Sequence, residues 1–329
     1  MKDYEGVKMG LIIEQMQGVA ALWGKRCQRM HLDLILPGSP ERTLSRIVIE
    51  DDHGDLFSFE EIDSKVLSRK SGIIQILKSL NDRSMLFIEP YCCGLDGQCV
   101  QELDGHFWQM VRFVPGVDLD RSTYLYEGWR AKDLTAFLIS LKEKSYGLPL
   151  FDKSSFSMVS YIEKLIRDIK KYRPELMGDI ELILRFLNQE FLGQSESLPL
   201  GFCHGDYHPL NVIWSESGVR IVIDWEFCGI KSEIYDAVNM IGCLGMEHPS
   251  SLTADLAIDF ISGLQKAGIY QQESWKYFLE FIVAQRFGWL AEWLRKNDEE
   301  MISLELDYMK LLIDNRSDFL KAWRISYNW

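Results

Sequence analysis

Apolar residues recur along this chain with two periods, and the change from one to the other divides it. Ser45 to Glu50 and Leu56 to Ile62 are short strand-like runs that flank Asp51-Asp52-His53-Gly54, a turn composition, so they predict a β-hairpin. Cys99 to Val111 predicts a second hairpin around Asp104-Gly105. Two helical patterns interleave with these. Residues 1–30 put Ile12, Met16, Val19 and Trp23 on one face, and residues 64–80 bury Ile73, Ile76, Leu77 and Leu80.

Pro115-Gly116 punctuates the end of this β-rich part. Beyond it the period becomes helical. Leu134, Phe137, Leu138 and Leu141 form one stripe, amphipathic helices over 157–173 and 178–192 break near Pro174, and further helices are expected near 235–245, 252–267, 273–296 and 299–324. The pattern predicts an α+β chain of two lobes: 1–114 with a leading helix, an antiparallel sheet and one helix, and 115–329, mostly helical. The 329 residues exceed the usual single core, in agreement with that division.

One short β-like stretch interrupts the helical part and carries the chemistry. It reads Phe202-Cys203-His204-Gly205-Asp206-Tyr207-His208-Pro209-Leu210-Asn211, and Ile221-Val222-Ile223-Asp224-Trp225-Glu226 follows. Val212 to Trp214 and Val219 to Ile223 suit the arms of a hairpin, with Ser215-Glu216-Ser217-Gly218 as its turn. If Trp214 faces Val219, then Ile213 faces Arg220 and Asn211 falls near Val222, which brings Asn211 close to Asp224. One amide and one carboxylate oxygen suit Mg²⁺, a hard cation that fills its other positions with water and phosphate. An Asp followed five residues later by an Asn, with a further Asp beyond, is the phosphoryl-transfer arrangement of a base and two metal ligands.

The His204-Gly205-Asp206 triplet, Asn211 and the Ile223-Asp224-Trp225-Glu226 block resemble the aminoglycoside phosphotransferase and choline kinase superfamily of small-molecule kinases, which also holds type II homoserine kinases, methylthioribose kinase and spore-coat relatives. The resemblance implies a bilobal protein-kinase-like fold and an ATP- and Mg²⁺-dependent phosphotransferase acting on a small-molecule hydroxyl. It implies Asp206 as the catalytic base and Asn211 and Asp224 as Mg²⁺ ligands, with His204 supporting the loop. Adenine would bind hinge backbone around Arg112, Phe113 and Val114. A family aspartate comparable to Asp236 braces the catalytic loop through backbone hydrogen bonds; an ordinary helix-start charge is the alternative for that residue.

Other readings of the same residues stand beside this one. His204, Asp206 and His208, with Asp224, could form a transition-metal site and make the chain a metal-dependent hydrolase. Cys203 continues an apolar run and reads better as a packed thiol than as a nucleophile. A kinase-like binding or scaffold protein without the reaction is the third alternative, because the nucleotide side departs from the pattern. Such kinases carry a lysine on the strand after the Gly54-type turn, and six residues beyond Gly54 stands Glu60. Alternation puts Leu56, Ser58 and Glu60 on one face, so a reversed ion pair of Glu60 with Lys70 or Arg69 is expected at the nucleotide. The phosphate loop, Pro37-Gly38-Ser39-Pro40-Glu41-Arg42-Thr43, has one glycine; Ser39 and Arg42 are its candidate contacts, with Arg46 as a further charge clamp.

Composition narrows the partners. A net charge of −13 argues against nucleic acid and permits a cationic acceptor. Trp289 and Trp293 lie four apart on an expected helix that also holds Trp275, Glu280 and Glu292; such a face suits an ammonium group, and the same residues suit core packing. The chain has no run of eighteen apolar residues, and Asp3 and Glu5 follow Lys2, so no membrane partner and a cytoplasmic location are expected. Seven cysteines without paired Cys-x-x-Cys spacing are expected as reduced thiols.

Overall fold

The computed structural model describes residues 14–34, 43–152 and 154–325. The chain divides into two compact units. The first comprises Met1–Val117, Gly147–Phe151 and Leu210–Glu226, and the second Asp118–Tyr146, Asp152–Pro209 and Phe227–Trp329.

The first unit is built on an antiparallel sheet of β1 (Cys27–His31), β2 (Ser45–Asp51), β3 (Leu56–Ile62), β4 (Tyr91–Cys92), β5 (Val100–Leu103) and β6 (His106–Arg112). Its order is β1-β2-β3-β6-β4, with β5 also paired to β6. Both expected hairpins are present, Ser45 facing Glu61 in one and Leu103 facing His106 in the other. The β2–β3 turn closes because Asp51 accepts backbone N–H groups from His53 and Asp55, each at 3.0 Å, while Gly54 takes the left-handed conformation at φ +82°.

Among the described residues the leading helix ends earlier than its sequence pattern. Helix α1 covers 14–21, the chain reverses at Gly24 (φ +66°), and Cys27–His31 becomes a strand; Ile12 lies outside the described residues. Met16, Val19, Ala20 and Trp23 form a buried core with Phe57, Phe59, Trp108 and Met110 of the sheet, Trp23 meeting Phe59 edge-on at 5.4 Å. Burying each such Phe contributes about 1.5–3 kcal/mol. With Phe57 and Phe59 committed to this core, strand alternation turns Ser58 and Glu60 to the opposite face.

Helix α2 (Leu67–Asp82) follows a 3₁₀ turn at Ser64–Val66, whose start is capped by the Asp63 carboxylate accepting the Lys65 N–H at 2.9 Å. Ile73, Ile74, Ile76, Leu77 and Leu80 are its buried stripe. Cys93 and Cys99 form a disulfide, against the expectation of reduced thiols throughout; Gly94 donates its N–H to the Gln98 carbonyl at 2.7 Å, folding the intervening loop back so that the two sulfurs meet. Cys27, Cys92, Cys203, Cys228 and Cys243 are thiols outside any disulfide.

The second unit is mainly helical. Helices occur at Ala131–Lys144, Met158–Tyr172, Met177–Glu190, Tyr235–Glu247 and Asp255–Ala267, close to their sequence patterns. The two longest patterns each break once, into Gln272–Lys276 with Phe278–Lys296 and into Glu299–Asp314 with Arg316–Ala322. Strands Leu200–Cys203 and Gly229–Ser232 pair antiparallel beside the helices, Cys203 facing Gly229. Among the described residues no helix is long and apolar enough to cross a membrane.

Candidate active site

In the second unit, strand Leu200–Cys203 delivers the chain into the His204-Gly205-Asp206 loop. Asp236, in the first turn of helix Tyr235–Glu247, accepts the His204 N–H at 2.7 Å and the Gly205 N–H at 2.8 Å. The comparable-aspartate expectation therefore matches the hydrogen bonds. Burial pushes the Asp236 carboxyl up to about 6, against the pull of those two N–H groups and of Lys231. Gly205 has φ +87°, and a Cβ there would fall on the Phe227 carbonyl. Glycine is the residue that this turn admits.

The neighbours of Asp206 are anchored, and the Asp206 carboxylate itself is partly exposed. Its N–H donates to His204 Nδ1 at 3.2 Å, which makes that nitrogen an acceptor, and His204 is fully buried. Tyr207 is likewise buried; its hydroxyl donates to the Leu134 carbonyl at 3.1 Å, and its own carbonyl accepts from Asn239 Nδ2 at 3.3 Å. The Asp206 carboxylate is 22% exposed, with His208 Nε2 3.6 Å away and the His208 ring edge-on to Trp289. A partly exposed carboxylate on a loop fixed by backbone bonds suits a group that must meet a substrate hydroxyl.

In the first unit, strands Val212–Ser215 and Gly218–Val222 form the expected hairpin with a corrected register. Ile213 faces Ile221, not Arg220, because a bulge between Ile213 and Trp214 leaves Arg220 as the extra residue, and its Nη1 donates to the Pro115 carbonyl at 2.9 Å. The bulge shifts the end of the hairpin by one residue. Asn211 O accepts the Ile223 N–H at 2.9 Å, which brings Asn211 beside the residue preceding Asp224. Asp224 takes φ +63°, a left-handed conformation that Asp adopts more readily than most residues. Asn211 is buried and Asp224 half-buried. An amide and a carboxylate carried on residues held this close by the main chain are a donor set that fits Mg²⁺.

Asp224 lines a pocket of the first unit together with Arg46, Glu60, Lys70, Tyr91, the segment Arg112-Phe113-Val114 and the apolar side chains of Ile213, Ile221 and Ile223. Its charge pairs differ from those expected. Glu60 does not pair with Lys70 or Arg69: it pairs with Arg46 at 3.2 Å and accepts from Gln109, because the register of β2, β3 and β6 puts both side chains directly across from it. Lys70, almost wholly buried, pairs instead with Glu226, and Arg69 Nε donates to the Glu226 carbonyl at 2.9 Å. Burial and the Glu60 and Glu226 charges push the Tyr91 phenol well above its ordinary range.

At the other end of the pocket, the Phe113 N–H donates to the Leu56 carbonyl at 2.9 Å, whereas Val114 makes no backbone hydrogen bond among the described residues. Ser39 and Arg42 lie outside the described residues. Sequence reasoning missed Glu226 as the partner of Lys70, and Tyr91 and Asn239 altogether. The position of Glu226, two residues past Asp224, was the available signal for the first; the others carry none.

Two further expectations meet different surroundings. Among the described residues no group of three His, Cys, Asp or Glu side chains could hold a metal ion, so His204, Asp206 and His208 do not form the cluster of a metal hydrolase. The Trp289 and Trp293 rings stack at 6.1 Å, but protein cations already lie over them: Arg286 at 5.4 Å from the Trp289 ring and Lys296 at 5.4 Å from that of Trp293. Glu280 is buried against Arg316 at 2.6 Å, and Glu292 pairs with Arg295 at 2.7 Å and Lys296 at 2.9 Å.

A sheet with one buried helix, a bulged hairpin holding Asn211 beside Asp224, and a helical unit bracing the Asp206 loop make up an α+β protein of the protein-kinase-like fold. An aminoglycoside phosphotransferase from Alicyclobacillus acidocaldarius superposes with a TM-score of 0.65 at 14% identity, covering 94% of this chain and 95% of that one. An amicoumacin kinase in complex with AMP-PNP, Ca²⁺ and its ligand gives 0.63 at 13% identity over 94% and 96%. A choline/ethanolamine kinase family protein from Mesorhizobium loti gives 0.56 at 15% over 88% and 93%. Residues 68–270 match the model of the phosphotransferase enzyme family, and the chain belongs to that family. No curated protein matches it in sequence.

Proposed function

We propose that this chain is a small-molecule kinase that transfers the terminal phosphoryl group of ATP to a hydroxyl. The observation that carries the reading is the main-chain hydrogen bond from Ile223 to Asn211, which ties Asn211 to the residue before Asp224, while Asp224 lines a pocket together with Val114, whose backbone makes no hydrogen bond among the described residues. Asp206, five residues before Asn211, accepts the proton of the substrate hydroxyl as its oxygen attacks. Asn211 and Asp224 would hold Mg²⁺, whose charge would offset that of the phosphates during transfer. Val114 receives the adenine edge through its main chain, with Arg112 and Phe113 flanking it. Lys70 and Arg46 supply the positive charge that a strand lysine provides in other kinases, each held in place by a carboxylate, Glu226 and Glu60. Positioning and charge neutralisation do most of the work in such a reaction, so the site needs few special side chains.

Neighbouring folds are recorded with AMP-PNP and amicoumacin, with GDP and kanamycin, and with ADP and spectinomycin, which supports a nucleotide donor and a small organic acceptor here. The test is ATP consumption with Mg²⁺ against amino alcohols, aminoglycosides, sugars and hydroxy acids, with product mass measured. The expected result is one acceptor class that gains a phosphoryl group. Nucleotide-independent turnover, or ATP binding with no acceptor phosphorylated, contradicts the reading.

A further inference from the structure

Strand Gly229–Ser232 of the second unit carries Lys231, which is only 9% exposed. A lysine with so little exposed surface ordinarily has a carboxylate beside its ammonium, because an ammonium that loses most of its water needs an opposite charge. The buried arginines of the same unit follow that rule: Arg130 pairs with Glu127 at 2.6 Å and Arg286 with Glu305 at 2.5 Å. The Lys231 ammonium makes no ion pair or hydrogen bond among the described residues, and its charge reaches the Asp236 carboxyl only at longer range. Its Nζ lies 5.4 Å from the Phe156 ring centroid and 5.3 Å from that of Tyr235.

The surrounding carboxylates have other partners. Asp236 accepts the His204 and Gly205 N–H groups. Glu233 is taken by Lys142 at 2.5 Å, by the Gln271 N–H at 2.7 Å and by the Ser274 hydroxyl at 3.0 Å. Lys231 is also next to the proposed base. A Cβ on Gly205, the residue before Asp206, would lie 2.9 Å from Lys231 Cε, and Tyr235, against which Lys231 rests, has its phenol pushed up by burial and by the Asp206 charge.

We propose that Lys231 is the anion-binding group of the acceptor subsite, so that the acceptor is a hydroxy acid whose carboxylate meets Lys231 while its hydroxyl meets Asp206. The claim rests on the kinase reading for the role of Asp206. Phe156, which is 37% exposed, and Tyr235 are the rings against which the Lys231 ammonium lies, and they would meet the carbon skeleton of such an acceptor. In a chain of net charge −13, a cation whose ammonium has no carboxylate in direct contact is what favours an anionic acceptor here.

The test uses the full chain and a panel of short hydroxy acids, glycerate, 3-hydroxybutyrate and 4-hydroxybutyrate, each beside its neutral amide. Binding without nucleotide is measured by calorimetry, and KM and kcat are measured with ATP, for the parent, Lys231→Met and Lys231→Arg. The expected result is an acid preferred over its amide by about tenfold or more and a preference that shrinks with salt. Lys231→Met, which keeps the buried stem, abolishes the preference and raises KM with kcat little changed, and Lys231→Arg restores part of it. Three results overturn the proposal: no binding of any panel acid to the parent, equal losses for acid and amide, or a fall in kcat with KM unchanged, which would put Lys231 on the transferring group. A binding preference without phosphoryl transfer would leave Lys231 as an anion site and refute the kinase reading instead.

Discussion

The loop that carries Asp206 and the charged rim of the first unit's pocket are stabilised in different ways. The loop is held by main-chain hydrogen bonds, two of them to the single buried carboxylate of Asp236, and by a glycine that leaves no room for a side chain. The rim is held by side-chain pairs, Lys70 with Glu226 and Arg46 with Glu60. Backbone-held geometry demands particular residues at particular spacings, whereas a side-chain charge can be delivered from any strand or helix that reaches. In this chain the rim charges come from a helix lysine, Lys70, and a strand arginine, Arg46, with a carboxylate, Glu60, on the strand between.

The comparison implies that a change to the loop costs far more activity than a change to the rim. Gly205→Ala is the largest effect expected short of removing the base: the added Cβ meets the Phe227 carbonyl at a residue of φ +87°, and displacing a catalytic group by about 1 Å costs on the order of 100-fold. Nucleotide affinity, measured by titration, should change little. A Gly205→Ala enzyme with parental kcat would show that the loop is not rigidly held.

Asp236→Asn comes next, because an amide has one acceptor oxygen for two buried N–H groups; the unmet hydrogen bond costs about 1–3 kcal/mol of stability. This variant also has a pH signature. The Asp236 carboxyl is raised to about 6 in the fold, chiefly by burial, so its contribution to stability is full below the unfolded value and is lost as pH rises through about 6. Urea titrations should show the parent losing about 1 kcal/mol between pH 5 and 7.5 that Asp236→Asn does not lose. Parallel pH dependences in the two proteins would place the slope elsewhere.

The rim is expected to give the smallest catalytic effect and a coupled one. Lys70→Met and Glu226→Gln should each weaken ATP binding or stability, and the double variant should be less damaged than the sum, with a coupling of about 0.5–3 kcal/mol. Strict additivity would dissolve the pair.

Legibility in the sequence followed the same division. The β2–β3 and β5–β6 hairpins were readable because their turns need Gly54 and Gly105 at positive φ, and most helices because their apolar stripes are long. The early helix was overextended, since Cys27–His31 pairs with β2 through contacts that no local period reveals. The catalytic hairpin was visible but its bulge was not, as an extra residue at Arg220 leaves the apolar pattern almost intact. Glu60 facing the pocket followed from strand alternation, yet its partner did not, because Arg46 and Lys70 are equally plausible cations until the register of β2 on β3 is fixed. Lys231 gave no signal, for only burial without a partner distinguishes it from an ordinary strand lysine.

Mass spectrometry of the acceptor after incubation with ATP and Mg²⁺, for the parent and Asp206→Asn side by side, tests the central claim most directly. The parent should convert its best acceptor to a product heavier by one phosphoryl group. Asp206→Asn, folded and still binding nucleotide, should do so about 10²–10⁴-fold more slowly. Phosphorylation by Asp206→Asn at the parental rate would contradict the account.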